Sequence, residues 1–197
     1  MPTCHNDRKE ITMHFLHKIL VHVPSAITMD EETSREEVLE AVTRRARDET
    51  ESFYEQAYDW REDDSAGRWS DEYPQQAYLA SEDLEWFMKE LNDIQIGQRF
   101  EINTALQMLR ESVGTDLTVI VPQLWDRDGK NYDPEKGVTE MSAYYLRVLA
   151  QLLYGEYRCD SCFYNTQTYT ARLYPSDLNE IKEHPENWAL VMFDYHY

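Results

Sequence analysis

The sequence predicts an α+β fold in which an antiparallel or mixed sheet is covered by several helices, one of them long. Apolar residues alternate with polar ones in one N-terminal and two C-terminal segments, a period typical of strands. Between these segments, apolar residues recur every three or four positions, as in amphipathic helices. A chain of 197 residues can bury one core, so we expect residues 1–197 to form a single domain.

The N-terminal strand is expected over residues 11–23, a β-rich run that Pro24 ends. A helix is expected over residues 35–58, because Ser34 and Glu37 have the spacing of a capping box. One face of this helix is predicted to be buried, through Val38, Leu39, Val42, Ala46, Phe53 and Ala57.

The middle of the chain is expected to continue with a loop over residues 59–74 and a short edge strand over residues 75–81. The long helix is predicted over residues 81–112, with Ser81 as its N-cap. Gly97 lies near its centre and marks a position where this helix could bend or divide into two.

The C-terminal part is expected to hold two helices and two strands: helices over residues 139–154 and 176–183, and strands over residues 163–173 and 188–197. Ser176 is the expected N-cap of the shorter helix. Residues 116–125 fit either a strand or a short helix, because a β-branched run is followed by a proline.

The negative charge is concentrated in one part of the chain. The formal net charge is −19, yet residues 30–135 hold 28 acids against 11 bases, and the rest of the chain 10 acids against 8 bases. A salt-adapted protein would spread its acids over the whole surface. The asymmetry favours a recognition surface in an acidic, mainly helical middle (residues 30–135), joined to a near-neutral, β-containing C-terminal part (residues 136–197).

The compartment is predicted from what the sequence lacks. No apolar run reaches the length of a membrane span, and the first ten residues are polar rather than signal-like. Three cysteines (Cys4, Cys159 and Cys162) are too few for a disulfide scaffold and indicate free thiols. We expect a cytoplasmic protein that binds neither membranes nor nucleic acid directly, and whose partner is a basic protein.

Helical phase predicts where part of the charge points. At about 100° per residue, most acids of the long helix fall within about a 100° sector, and its bases lie at or beyond the border. That sector comprises Glu82, Asp83, Glu90, Asp93, Glu101 and Glu111, together with Trp86 and Phe100. An exposed face with both uncompensated acids and aromatic rings is typical of a surface that a partner covers.

The loop over residues 59–74 repeats this combination at higher density. Its acids are Asp59, Glu62, Asp63, Asp64, Asp71 and Glu72, and its aromatic residues are Trp60, Trp69 and Tyr73. Aromatic side chains supply contact energy at interfaces, and charges supply steering and register. The alternative for each ring is ordinary packing in the core or against a second copy of the chain, so a homodimer is also possible.

The functional hypothesis is therefore an acidic inhibitor that carries no catalytic residue and no cofactor. It would occupy the place of nucleic acid on a basic partner, such as a nuclease or another nucleic-acid-binding effector. In physical type the sequence resembles the DNA mimics that phages and plasmids use against restriction or CRISPR effectors. This resemblance is one of charge and composition and rests on no shared motif.

The first alternative is an enzyme or metal-binding protein that uses the C-terminal half. Cys159 and Cys162 form a lone CxxC, which lacks the second pair of a zinc site and leads into a β-run rather than a helix. His14, His17 and His22 share one strand, but strand alternation places His17 on the opposite face from the other two. The sequence therefore predicts no metal ligands.

Two further interpretations stay open at this point. Residues 125–133 resemble a calcium loop, but the glycine comes too early and no glutamate stands at the twelfth position. A salt-adapted protein without a partner would also carry many acids and few lysines, of which this chain has 6 against 13 arginines.

Overall fold

The computed structural model describes residues 13–24, 33–113 and 140–197. The strands among these residues are β1 (His14–His22), β2 (Trp60–Glu62), β3 (Ala77–Leu79), β4 (Phe163–Asn165) and β5 (Trp188–His196). The helices longer than one turn are α1 (Arg35–Thr50), α2 (Leu84–Val113), α3 (Glu140–Tyr154) and α4 (Pro175–Glu183). The predictions for residues 116–125 and 125–133 and for Cys4 lie outside the described residues.

The strands form one mixed sheet, and with the helices this confirms the predicted α+β fold. β5 pairs antiparallel with the whole of β1 on one side. On its other side it pairs antiparallel with β2 and β3 in succession. β4 lies outside β1 and runs parallel to it. The central strand is therefore the C-terminal one, and its two ends are covered by different partners.

Helices cover both faces of the sheet because β1 is apolar on both faces. Ile19 packs in one core with Val42 of α1. Its neighbour Leu20 points to the opposite face and packs in a second core with Phe87 of α2 and Ile181 of α4. Strands buried on both faces read as continuous apolar runs. This burial explains the apolar runs over residues 19–21 of β1 and 188–193 of β5.

β4 is much shorter than the strand predicted over residues 163–173. The chain turns after Asn165, and Thr170 bridges back to that residue. The turn forms because the Asn165 side chain accepts the backbone N–H of Gln167, at 2.9 Å, while the Thr166 hydroxyl donates to the Leu20 carbonyl. Short polar side chains that bond the backbone compete with a strand ladder.

α1 ends at Thr50, not at residue 58 as predicted, and a single 3-10 turn follows it. The predicted capping box of Ser34 and Glu37 is present. At the other end, the Thr50 hydroxyl donates to the Ala46 carbonyl at 2.7 Å, and the Tyr58 hydroxyl donates to the Thr50 carbonyl. Carbonyls at this helix end thus have side-chain donors, which lets the chain leave the helix early.

α2 runs without interruption from Leu84 to Val113, so Gly97 does not divide it. Gly97 is exposed and no atom of another residue crowds it, which explains why a helix continues through it. The N-cap is Asp83 rather than the predicted Ser81, because the Asp83 carboxylate accepts the backbone N–H of Trp86 at 2.9 Å.

The two remaining helices show how the C-terminal part is attached. α3 packs on the second half of α2 through Leu149, which lies against Ala105 and Leu109. α4 begins with Pro175 in its first turn, so its N-cap is Tyr174 rather than the predicted Ser176. Within the described residues, no helix combines the length and the apolar character that crossing a membrane requires.

Candidate functional site at the connection between α1 and α2

The structure removes Glu90 from the predicted acidic face of α2. Its side chain is buried, and its Oε2 atom lies 2.5 Å from the Lys18 ammonium of β1. The Tyr73 hydroxyl donates to the same carboxylate at 3.0 Å and accepts from Lys18 at 2.9 Å. Helical phase alone could not show this, because the partner lies on a distant strand. Glu90 fastens α2 to the sheet.

Two further acids of the predicted face are paired as well. Glu82, just before α2, pairs with Arg35 of α1, and the Arg35 guanidinium lowers the pKa of the Glu82 carboxyl. Asp93 pairs with Lys89 one turn earlier, at 3.1 Å. The exposed charged residues of the helix nearly balance in number: Glu85, Asp93, Glu101 and Glu111 against Lys89, Arg99 and Arg110. The predicted face thus loses Glu82, Glu90 and Asp93 to ion pairs with described residues. Asp83, Glu101 and Glu111 form no ion pair with a described residue and remain predicted members of the face.

Of the two aromatic residues predicted on that face, only Phe100 is largely exposed, at 71%. Trp86 is half-buried and packs on Tyr78, with ring centroids 4.5 Å apart. The short β3 strand thus covers Trp86, which the sequence assigned to a partner-binding surface.

The acidic connection, which we define as residues 51–72 between α1 and α2, keeps most of its charge unpaired. It contains eight acids and two bases. Two of these acids form close ion pairs: the Asp63 carboxylate lies 2.5 Å from Arg61 and 3.6 Å from Arg47, and Glu51 lies 3.1 Å from Arg61. Asp64 has a 95% exposed side chain and reaches Arg47 only at 4.0 Å.

Other acids of the connection are exposed or half-exposed and form no ion pair with any described residue: Glu55, Asp59, Glu62, Asp71 and Glu72. Trp60 stands among them and is 47% exposed. Trp69 differs, because it packs half-buried against the core on the α2 side of the sheet. The connection thus carries acids together with two exposed rings: Trp60, which the sequence predicted, and Tyr54, at 53%, which it did not.

A buried arginine holds the connection in place. Arg61 of β2 donates to the Thr50 hydroxyl at 2.8 Å and to the Tyr58 hydroxyl at 3.1 Å. Its guanidinium also lies over the Phe193 ring of β5, 4.9 Å from the ring centroid. The end of α1, strand β2 and strand β5 are therefore joined beneath the exposed acids, so the acids project from an ordered support.

The connection crosses the end of the sheet above three polar side chains of β1 and β5. His14 lies directly opposite His196 in the register, and their ring centroids are 3.6 Å apart. His14 Nδ1 lies 3.0 Å from one Asp194 carboxylate oxygen and 3.2 Å from the other. The Trp60 ring covers His196 at 4.2 Å. Desolvation by burial, followed by the nearby His14, lowers the pKa of His196.

The backbone of the connection closes over the Asp194 carboxylate. The Arg68 backbone N–H donates to Asp194 Oδ2 at 3.1 Å. Gly67 precedes it with φ +56°, a conformation that side chains disfavour, and a Cβ at this position would overlap the Asp194 side chain. Only glycine allows the backbone to approach the carboxylate this closely.

Replacing Gly67 with alanine is therefore expected to lower the free energy of unfolding by about 2–4 kcal/mol, from a strained backbone and a displaced carboxylate. Urea unfolding of G67A measures this loss. The matched control is G97A, at an exposed helical position with free space around it, where alanine is expected to be neutral or stabilising. Equal stability of G67A and the wild type would show that the approach to Asp194 is not constrained.

The alternative of an enzyme or metal site at Cys159 and Cys162 gains no support from the described residues. Cys159 is half-buried and Cys162 exposed, and both thiols are free. Desolvation and neighbouring acids, Asp160 for Cys159 and Glu101 for Cys162, raise the pKa of both, which disfavours the reactive thiolate. The Cys159 carbonyl instead accepts a hydrogen bond from His17.

Sequence reasoning missed the grouping of His14, Asp194 and His196. The prediction correctly separated His14 and His22 from His17, which is buried on the α1 face. It assigned no role to Asp194 or His196. A signal was present, since Asp194 and His196 stand two apart in an alternating strand and must share a face. The antiparallel register with β1, which brings His14 to them, is a long-range property.

Comparisons with known proteins identify no relative. No family model matches the chain, and neither the curated proteins nor the solved structures contain a match.

Proposed function

We propose that the protein is an acidic binding protein whose acidic connection covers a basic, nucleic-acid-binding partner and occupies the place of the nucleic acid. The observation that carries this proposal is the group of unpaired acids around the exposed ring of Trp60. It revises the sequence hypothesis, because the contact surface lies on the connection and excludes Glu90, Trp86 and the compensated acids of α2.

The charge of the acidic connection supports a basic protein as the partner. Unpaired carboxylates held together raise the local negative potential, and a basic surface that approaches them gains both attraction and a faster encounter. Nucleic acid is excluded as a direct ligand by the same charge. The partner class that combines a basic groove with natural affinity for a row of negative charges is the nucleic-acid-binding protein, including restriction and CRISPR nucleases.

Trp60 supports a specific contact rather than steering alone. Trp60 is 47% exposed and packs against His196, and a tryptophan has only two side-chain torsions, so it adds contact area at little cost in side-chain entropy. Charges at the rim of an interface mainly change the association rate, whereas an aromatic anchor changes the dissociation rate. The two kinds of residue therefore make separable contributions.

The test is binding to a panel of purified restriction endonucleases and CRISPR effector nucleases, measured at low and moderate salt. For a bound partner, the triple variant D59K/D71K/E72K is expected to weaken binding at least ~10-fold at low salt and to flatten its salt dependence. W60A is expected to cost at least about 1 kcal/mol, mainly through faster dissociation.

The matched control is E180K/E183K/E186K, which changes the net charge by the same amount on exposed residues at and after α4, near the opposite end of β5. The affinity of this variant is expected to stay within ~3-fold of the wild-type affinity, because it loses only long-range attraction, which salt screens. Equal weakening by the two triple variants would remove the connection as the contact surface and leave only a general charge effect.

A further inference from the structure

We infer that His14, Asp194 and His196 form a binding site for a divalent transition metal ion, and that the site prefers Zn²⁺. The inference is independent of the proposed function, because the site is defined by strand register and is measured on the isolated protein. One ligand atom from each of the three residues can be chosen so that all lie within 4.8 Å of one another.

The spacing fits a three-residue metal site. His14 Nδ1 lies 3.0 and 3.2 Å from the two Asp194 oxygens. In a tetrahedral zinc site with bonds of about 2.0–2.1 Å, neighbouring ligand atoms are about 3.3 Å apart. The His14 and Asp194 atoms need to move by only a few tenths of an ångström to match, and one ring nitrogen of His196 lies within 4.8 Å of them.

The buried charge of Asp194 would be stabilised by a cation. Asp194 is only 2% exposed, and its carboxylate forms no ion pair with a described lysine or arginine. A buried carboxylate is stable only with a compensating charge or several donors. Here it has one backbone N–H, from Arg68, and the His14 ring. A divalent ion would supply the missing positive charge, and two neutral imidazoles would complete its ligands.

The surroundings have the features of a metal site beyond its ligands. The Arg68 backbone N–H and the close approach of Gly67 fix the orientation of Asp194, as outer hydrogen bonds do for ligating carboxylates. Trp60 packs on His196 and shields the site on one side. His14 and His196 stay partly accessible, so an ion can enter and a water molecule can take the fourth position.

Imidazole and carboxylate ligands select Zn²⁺ and similar ions over Mg²⁺ or Ca²⁺, which prefer oxygen ligands alone. We therefore expect chelator-treated wild-type protein to bind one equivalent of Zn²⁺ in a competition titration against a chromophoric chelator. Mg²⁺ and Ca²⁺ at the same concentrations are expected to give no saturation. A single equivalent of Zn²⁺ is also expected to raise the melting temperature.

The variants H14A, D194N and H196A are each expected to lower Zn²⁺ affinity at least ~100-fold and to abolish the zinc-dependent rise in melting temperature. Circular dichroism of the metal-free variants checks that they fold. Two matched controls, H22A at the other end of β1 and C159S/C162S, are expected to bind Zn²⁺ as the wild type does. Co²⁺ bound to the wild type is expected to show no thiolate charge-transfer absorption.

Three results would each overturn the inference. Absence of saturable Zn²⁺ binding by the wild type would show that the three side chains are only a hydrogen-bonded group. Undiminished affinity in folded D194N and H196A would place the ion elsewhere. Loss of binding in C159S/C162S, with thiolate absorption for Co²⁺, would assign it to the CxxC pair.

Discussion

Replacing Glu90 with alanine is expected to lower the free energy of unfolding by about 3–5 kcal/mol. The substitution leaves the Lys18 ammonium, 15% exposed, without its carboxylate in the second core. It also removes the acceptor of the Tyr73 hydroxyl. A buried charge without a partner costs far more than the pair contributes, which is why one small change has so large an effect.

Urea unfolding measures this loss, and two variants separate its causes. The double variant K18M/E90L removes both charges and is expected to recover most of the stability, because apolar residues of similar size replace a buried pair with little cost. E85A, at an exposed position of the same helix, is expected to change stability by less than about 0.5 kcal/mol. A loss below about 1 kcal/mol in E90A would mean that Lys18 and Glu90 do not form the buried pair described above.

Acid is expected to destabilise the protein through His17. This ring is fully buried, and desolvation lowers its pKa from 6.5 to about 3. It stays neutral between the Tyr157 hydroxyl, 2.7 Å from Nδ1, and the Cys159 carbonyl, 2.7 Å from Nε2. The unfolded chain takes up a proton below about pH 6.5, and the folded chain does not until about pH 3.

The contribution of His17 is therefore complete above about pH 6.5 and declines as the pH falls toward 3. Between pH 7 and 4.5, the wild type is expected to lose about 2–3 kcal/mol more than H17Q, which hydrogen-bonds but does not titrate in this range. Denaturant unfolding of both proteins across this range measures the difference. Parallel curves for the wild type and H17Q would show that His17 does not stay neutral in the folded state.

Local patterns predicted the elements whose cause is local. The capping box at Ser34 gave the correct start of α1. The apolar C-terminal segment gave nearly the correct bounds of β5, although the expected alternation is absent because this strand is buried on both faces. β2 was missed because three residues are too few for a period, and it is a strand only because β5 pairs with it. β4 was overextended because the turn at Asn165 depends on side-chain hydrogen bonds that periodicity does not register.

The site was predictable in composition but not in arrangement. The excess of acids between residues 30 and 135 was visible in the sequence, and among the described residues a group of five unpaired acids lies in the acidic connection. The neutralised part could not be found, since Glu90 and Glu82 pair with Lys18 and Arg35 from other elements. His14 and His196 likewise come from opposite ends of the chain, and only the sheet register brings them together.

The central proposal is that the acidic connection takes the place of nucleic acid on its partner. Competition measures this directly. Labelled duplex DNA is bound to a nuclease that also binds the protein, and the protein is then titrated into the complex. Complete displacement is expected, with an apparent affinity that falls as DNA concentration rises and that D59K/D71K/E72K reduces. Formation of a ternary complex, in which protein and DNA bind the nuclease together with unchanged affinities, would contradict the proposal.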